Sequence, residues 1–213
     1  MTDSLSLPRK YDTGEVDYEQ TYIPMLRKRF PDILIVDVAM GGAKITDLLV
    51  QCFYYKQFKP DLVFMQCGIV DCAPRSFSLL EKVLIEKFRL RKFSRIFEKK
   101  FRKFRNCTYT NKTVFLDSLL KIRMSFENVP FFSVGILQVC EQYEILVPGI
   151  KKNVREYNHI LKENTNYINN DDFPLDGIIS DFHHLNELGH KLIFEKLENV
   201  INAQVGSDFS SKR

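Results

Sequence analysis

The chain has 213 residues, 45% of them hydrophobic, and a formal net charge of +4. That is material for one core, so a single domain over residues 1–205 with a disordered tail at 206–213 is expected. No run of about 18 apolar residues offers a membrane span, and no charged-then-apolar opening with a cleavage site precedes Asp3. The five cysteines (Cys52, Cys67, Cys72, Cys107, Cys140) form no CxxC pair. An odd, scattered set fits unpaired thiols in a reducing compartment better than a disulfide framework or a zinc site, which points to the cytoplasm.

In chain order, YEQTYIPMLRKRF (residues 18–30) reads as a helix with Tyr22, Leu26 and Phe30 on one stripe and Pro24 near its first turn. ILIVDV (33–38) reads as a strand. TDLLVQCFYYKQF (46–58) is a helix opening on Thr46 and ending before Lys59-Pro60, and DLVFMQC (61–67) is a second strand. Residues 81–105 form a basic helical insertion with 11 Lys or Arg against 3 Glu, a local +8, leaving 20 basic and 24 acidic residues elsewhere. Phe88, Phe93, Phe97, Phe101 and Phe104 give that insertion an apolar stripe. A helix at 114–126, a strand at 130–137, a helix at 149–164, a short strand at 177–180 and a helix at 186–201 complete the alternation.

The four apolar runs continue without a polar alternation, as strands buried on both faces do. Strand and helix in turn imply a three-layer α/β/α sandwich on a parallel sheet with right-handed crossovers, a flavodoxin-like architecture. Ligands of such sheets sit beyond the carboxyl ends of the strands. That rule selects the loops AMGGAKIT, GIVDCAPR, QVCEQYE and DFHHLN.

The last of these carries the chemistry. Asp181 and His184 lie three residues apart at a strand end, close enough for the carboxylate to fix the imidazole tautomer and free the far nitrogen for a serine. Asn186 is placed to cap the helix that follows. The same residues also read as a plain helix-start cap. Gly41-Gly42 serves equally as a tight turn, and Asp71 as a brace for its own loop. Cys72 and Cys140 read as structural thiols, His183 as a filler pointing away from the motif, and His190 as a packing residue.

MTDSLS, GGAKIT, GIVDCAPR and DFHHLNELGH stand in the order of the four blocks of the SGNH (GDSL) hydrolase superfamily, which the chain resembles over nearly its whole length. Within it, GIVDCAPR is most similar to small polysaccharide-locus hydrolases. The resemblance implies a serine esterase that needs no cofactor or metal. Ser4 would be the nucleophile, His184 the base and Asp181 its orienting carboxylate, with the backbone N–H groups of Ser4 and Gly42 as oxyanion donors. It further implies an acylated sugar or polysaccharide precursor as substrate.

Two departures from the family pattern matter. The G-x-N-D block reads Gly68-Ile69-Val70-Asp71, so Val70 replaces the asparagine whose side chain donates to the oxyanion; Arg75 is the nearest substitute in sequence, as a substrate-binding group. Losing one such donor costs on the order of 10²–10³ in rate. Secondly, the family's nucleophile follows a central strand, whereas only Met1 and Thr2 precede Asp3. The first strand is therefore expected to lie upstream, or the chain to be truncated or impaired. An acyltransferase on the same residues and a non-catalytic carbohydrate-binding protein of the same fold are the alternatives. The basic insertion suggests an anionic ligand or a membrane surface, and no nucleic acid is expected.

Overall fold

The computed structural model describes residues 1–12, 14–77, 79–88, 105 and 107–211. Most of the basic insertion, including Phe93, Phe97, Phe101 and Phe104, lies outside the described residues. A small antiparallel hairpin, β1 (Arg9–Tyr11) and β2 (Gly14–Val16), leads to α1 (Tyr22–Arg29). Then follow α2 (Ile45–Tyr55), β3 (Val63–Gln66), the single turn α3 (Ile69–Cys72) and α4 (Leu79–Lys87). The second half holds α5 (Lys112–Ser125), β4 (Phe131–Val134), α6 (Glu141–Leu146), α7 (Ile150–Asn164), β5 (Asn166–Ile168) and α8 (Glu187–Ser211). The last turns of α8 cover residues 206–211, which the sequence reading gives to a tail.

The sheet is parallel, in the order β3-β4-β5, with Val63 opposite Phe131 and Phe132 opposite Asn166. Strand alternation divides its side chains between two cores. Val63, Met65 and Phe131 face a layer in which Leu48, Phe115, Leu119, Val154 and Leu161 are buried. Phe64 and Phe132 face the other, with Tyr22, Leu26, Ile193 and Leu197 from α1 and α8. Helices therefore cover both faces, as the continuous apolar runs require. Each fully buried aliphatic side chain contributes about 1.5–3 kcal/mol.

Two expected strands are corrected. Residues 33–38 form no regular strand, and Leu34 there is 83% exposed. A strand exists only through its neighbour, and beside this segment the sheet offers only the chain's first residues. Residues 177–180 begin in a 3₁₀ turn and make one bridge, Ile178 to Leu185, because the chain reverses immediately afterwards. β5 instead supplies the third sheet strand, from a polar stretch with no strand signal.

The opening residues stand where the sequence reading finds the first strand missing. Thr2 forms parallel bridges with Ala39 on one side and Gln66 on the other. Its N–H donates to Val38 O at 2.8 Å, the Met40 N–H to Thr2 O at 3.1 Å, and the Asp3 N–H to Gln66 O at 2.9 Å. A stub of central strand thus delivers Ser4 to the carboxyl edge of the sheet.

Candidate active site

Ser4 opens a 3₁₀ turn, Ser4–Ser6, whose N-cap Asp3 accepts the Leu5 N–H at 3.0 Å. The turn is pinned from below by the Thr2 ladder, so the hydroxyl is held by backbone rather than by a flexible end. Ser6 Oγ meets Thr2 Oγ1 at 2.6 Å and closes the turn onto the stub.

The opposing loop is built around one carboxylate. Asp181 Oδ1 accepts the N–H groups of both His183 (3.1 Å) and His184 (3.0 Å). Phe182 takes a left-handed φ of 66°, and Ile179 N–H donates to His184 O at 2.9 Å, so the chain doubles back over four residues. Asn186 then caps α8, accepting the Gly189 N–H at 3.0 Å.

These two loops bring together the three residues singled out in sequence. Ser4 Oγ lies 2.8 Å from His184 Nε2, and His184 Nδ1 lies 2.6 Å from Asp181 Oδ2. Ser4 and His184 are both buried, at 8% exposure, so water does not compete for their contact. Burial alone would raise the Asp181 carboxyl. The hydrogen bond from His184, with the His183 ring and N–H, overrides it and holds the carboxyl well below its usual range. An ionised Asp181 on Nδ1 assigns the proton to that nitrogen and leaves Nε2 as the acceptor facing Ser4.

Sequence reasoning missed His183. Its ring centroid is 4.1 Å from that of His184, and its other face stacks on Tyr143 at 5.5 Å and 9°. It is a wall of the site rather than a filler turned away. Burial and the neighbouring His184 hold its pKa below the usual imidazole range. No local signal revealed this, because Tyr143 arrives on α6 from a different loop. The ligand atoms of Asp181, His183 and His184 lie within 4.8 Å of one another, and a metal ion held there by the carboxylate and His184 Nδ1 would displace the hydrogen bond between those two.

Around this centre, Gly42 adopts φ 71°, with open space where a Cβ would stand. Among the described residues, no protein group accepts from the N–H of Ser4 or Gly42. Asp71 braces the neighbouring glycine loop rather than its own: both its oxygens accept the Ile45 N–H at 3.1 Å, at the first turn of α2. Burial pushes its pKa up to about 6. Val70 is half-buried and packs against the core, and its carbonyl accepts from Arg75 Nη2 at 3.4 Å. The Arg75 guanidinium lies over the Tyr109 ring at 4.2 Å, so the structure engages it there and not at Ser4. Cys67 and Cys72 are buried with their thiols pushed up by desolvation, and Cys140 caps α6 through the Tyr143 N–H, which agrees with structural roles.

No family model matches the chain, and no curated protein matches it in sequence. Solved structures do. A lipase/acylhydrolase from Enterococcus faecalis superposes with a TM-score of 0.67 over 95% of this chain and 93% of its own, at 13% identity. An acetyl-xylooligosaccharide esterase from Geobacillus gives 0.58 over 92% and 89%, at 14% identity. The psychrotrophic esterase EstA from Pseudoalteromonas gives 0.54 over 90% and 91%, at 15% identity. The chain has the fold of the GDSL/SGNH hydrolases. Among the described residues, no helix is long and apolar enough to cross a membrane.

Proposed function

We propose that this chain is a serine ester hydrolase that removes an acyl group, O-acetyl or similar, from a carbohydrate. The contact of Ser4 Oγ with His184 Nε2 at 2.8 Å, backed by Asp181, carries the reading. Ser4 Oγ attacks the acyl carbon as its proton passes to Nε2. The imidazolium so formed is steadied by Asp181 through Nδ1–H. The negative oxygen of the tetrahedral intermediate takes the unused N–H groups of Ser4 and Gly42. Collapse expels the sugar hydroxyl, which receives the proton from Nε2. Water, activated by the same imidazole, then releases the carboxylic acid and frees Ser4.

With Val70 in place of an asparagine, two backbone donors serve where the family pattern has three, so a turnover about 10²–10³ below a three-donor site is expected. The carbohydrate assignment draws on the likeness to an acetyl-xylooligosaccharide esterase and on the sugar-locus resemblance of GIVDCAPR. The test is a fluorophosphonate probe followed by a panel of acetylated sugars. Wild type is expected to label, and Ser4→Ala to lose both labelling and acetate release while keeping its fold. A folded wild type that neither labels nor releases acetate refutes the proposal.

A further inference from the structure

The Ser4 turn runs on into the hairpin, and the register of that hairpin decides which way Arg9 faces. Arg9 stands directly opposite Val16, and Lys10 opposite Glu15. Opposed residues of an antiparallel pair share one face of the ribbon, and neighbours along a strand take opposite faces. Val16 is 1% exposed, whereas Lys10 and Glu15 form an ion pair at 3.3 Å on the solvent side. Arg9 therefore lies on the inward face, half-buried.

A guanidinium offers five N–H donors, no acceptor, and a charge it does not lose. Other arginines of the fold are answered: Arg27 donates to Tyr18 Oη and Ile35 O, Arg29 pairs with Glu198, Arg75 donates to Val70 O and Arg123 to Asn164 O. The Arg9 side chain has no hydrogen-bond or ion-pair partner among the described residues, although its Nε is buried. A buried donor of this kind is destabilising unless a bound group accepts from it. Its charge is felt at the triad's flank, where Arg9 is one of the causes that lower the His183 pKa. The His183 ring lies 4.1 Å from that of His184, centroid to centroid. The Asp181 carboxylate is already taken, its oxygens accepting from the His183 and His184 N–H groups and from His184 Nδ1.

We propose that Arg9 is an anion subsite beside the triad, and that the substrate of Ser4 carries, besides its ester, a carboxylate or phosphate group that accepts from the Arg9 guanidinium. This rests on the reading of Ser4 as an ester nucleophile and narrows the carbohydrate to an acidic one, a uronic acid or a sugar phosphate. The planar fork of the guanidinium suits both groups, since each can take two parallel hydrogen bonds from it.

Acetate release from O-acetylated glucuronic acid and from O-acetylated glucose, measured in wild type, Arg9→Lys and Arg9→Gln, tests it. Wild type is expected to favour the acid by about 10–100-fold in kcat/KM, the range of a charge-assisted hydrogen bond. Arg9→Gln is expected to bring that ratio close to unity through KM, and Arg9→Lys to regain part of it. Binding is read separately by nuclear magnetic resonance in isotope-labelled Ser4→Ala, with the Arg9 Nε–H signal identified by its loss in the Arg9→Lys double variant. That signal is expected to shift with glucuronate or glucose 6-phosphate and not with glucose, and the larger shift names the anion. A shift without acetate release from any ester overturns the hydrolase and leaves the anion subsite standing. An equal ratio in wild type and Arg9→Gln overturns the subsite and leaves the hydrolase standing. A signal that moves with neither sugar anion, or with inorganic phosphate alone, overturns the subsite as well.

Discussion

Replacing Asp3 by asparagine tests the electrostatics beneath the nucleophile. Asp3 is fully buried; its Oδ1 accepts the Leu5 N–H, and its Oδ2 has no partner among the described residues. Burial, with Asp71 adding to it, pushes its pKa from 3.8 up to about 7. Between those two values the folded protein holds a proton that the unfolded chain has released. Stability is then fully present in acid, falls as pH rises toward 7 and levels off above it. A gap of about three units at 1.36 kcal/mol each sets a ceiling of about 4 kcal/mol. Asp71, itself raised to about 6, shares the field, so about 2–4 kcal/mol is expected for Asp3. Asp3→Asn keeps the acceptor for Leu5 and cannot ionise, but it buries an unpaired amide donor, a constant cost of about 1–3 kcal/mol. Wild type is thus expected to be the more stable near pH 4.5, with its advantage gone or reversed near pH 8. Urea unfolding of both proteins across that range reads the difference directly. A difference constant to within about 0.5 kcal/mol refutes the reasoning.

Asp181→Asn is expected to keep the fold with a lowered thermal midpoint at neutral pH, since the carboxylate held below its usual range is stabilising there, and to cut probe labelling and ester hydrolysis by roughly 10³–10⁴-fold, because the amide no longer holds the proton on His184 Nδ1. A wild-type labelling rate contradicts the assigned tautomer. Gly189→Ala places a Cβ 2.1 Å from Gly177 O, the acceptor of the Asn186 N–H that anchors the start of α8. Backbone cannot yield cheaply, so a loss of about 2–3 kcal/mol and a midpoint lower by roughly 5 °C or more are expected, with weaker labelling as the Asp181–His184 loop loosens. A midpoint equal to wild type shows that the close approach is not obligatory.

Asp181 and His184 were legible because their relation is local: three residues in one tight loop fix the carboxylate against the near nitrogen. The order of four motif blocks was the only sign that Ser4, 180 positions away, belonged with them, and composition carried none of it. The place of His183 is not legible in sequence, since its stacking partner Tyr143 reaches it through space from α6. Arg75 is the nearest cation in sequence, whereas the fold sends it to Tyr109 and the Val70 carbonyl.

The strands divide the same way. Continuous apolar runs located β3 and β4, whose side chains must be buried on both faces. Residues 33–38 share that composition and still form no strand, while the polar β5 does. By itself, then, the order of residues determined which segments bury apolar surface and which loop pairs a carboxylate with an imidazole, since both follow from side-chain chemistry over short separations. Only the tertiary structure decided which segments pair and where Ser4 meets His184, because a backbone hydrogen bond needs a partner strand that no local sequence specifies.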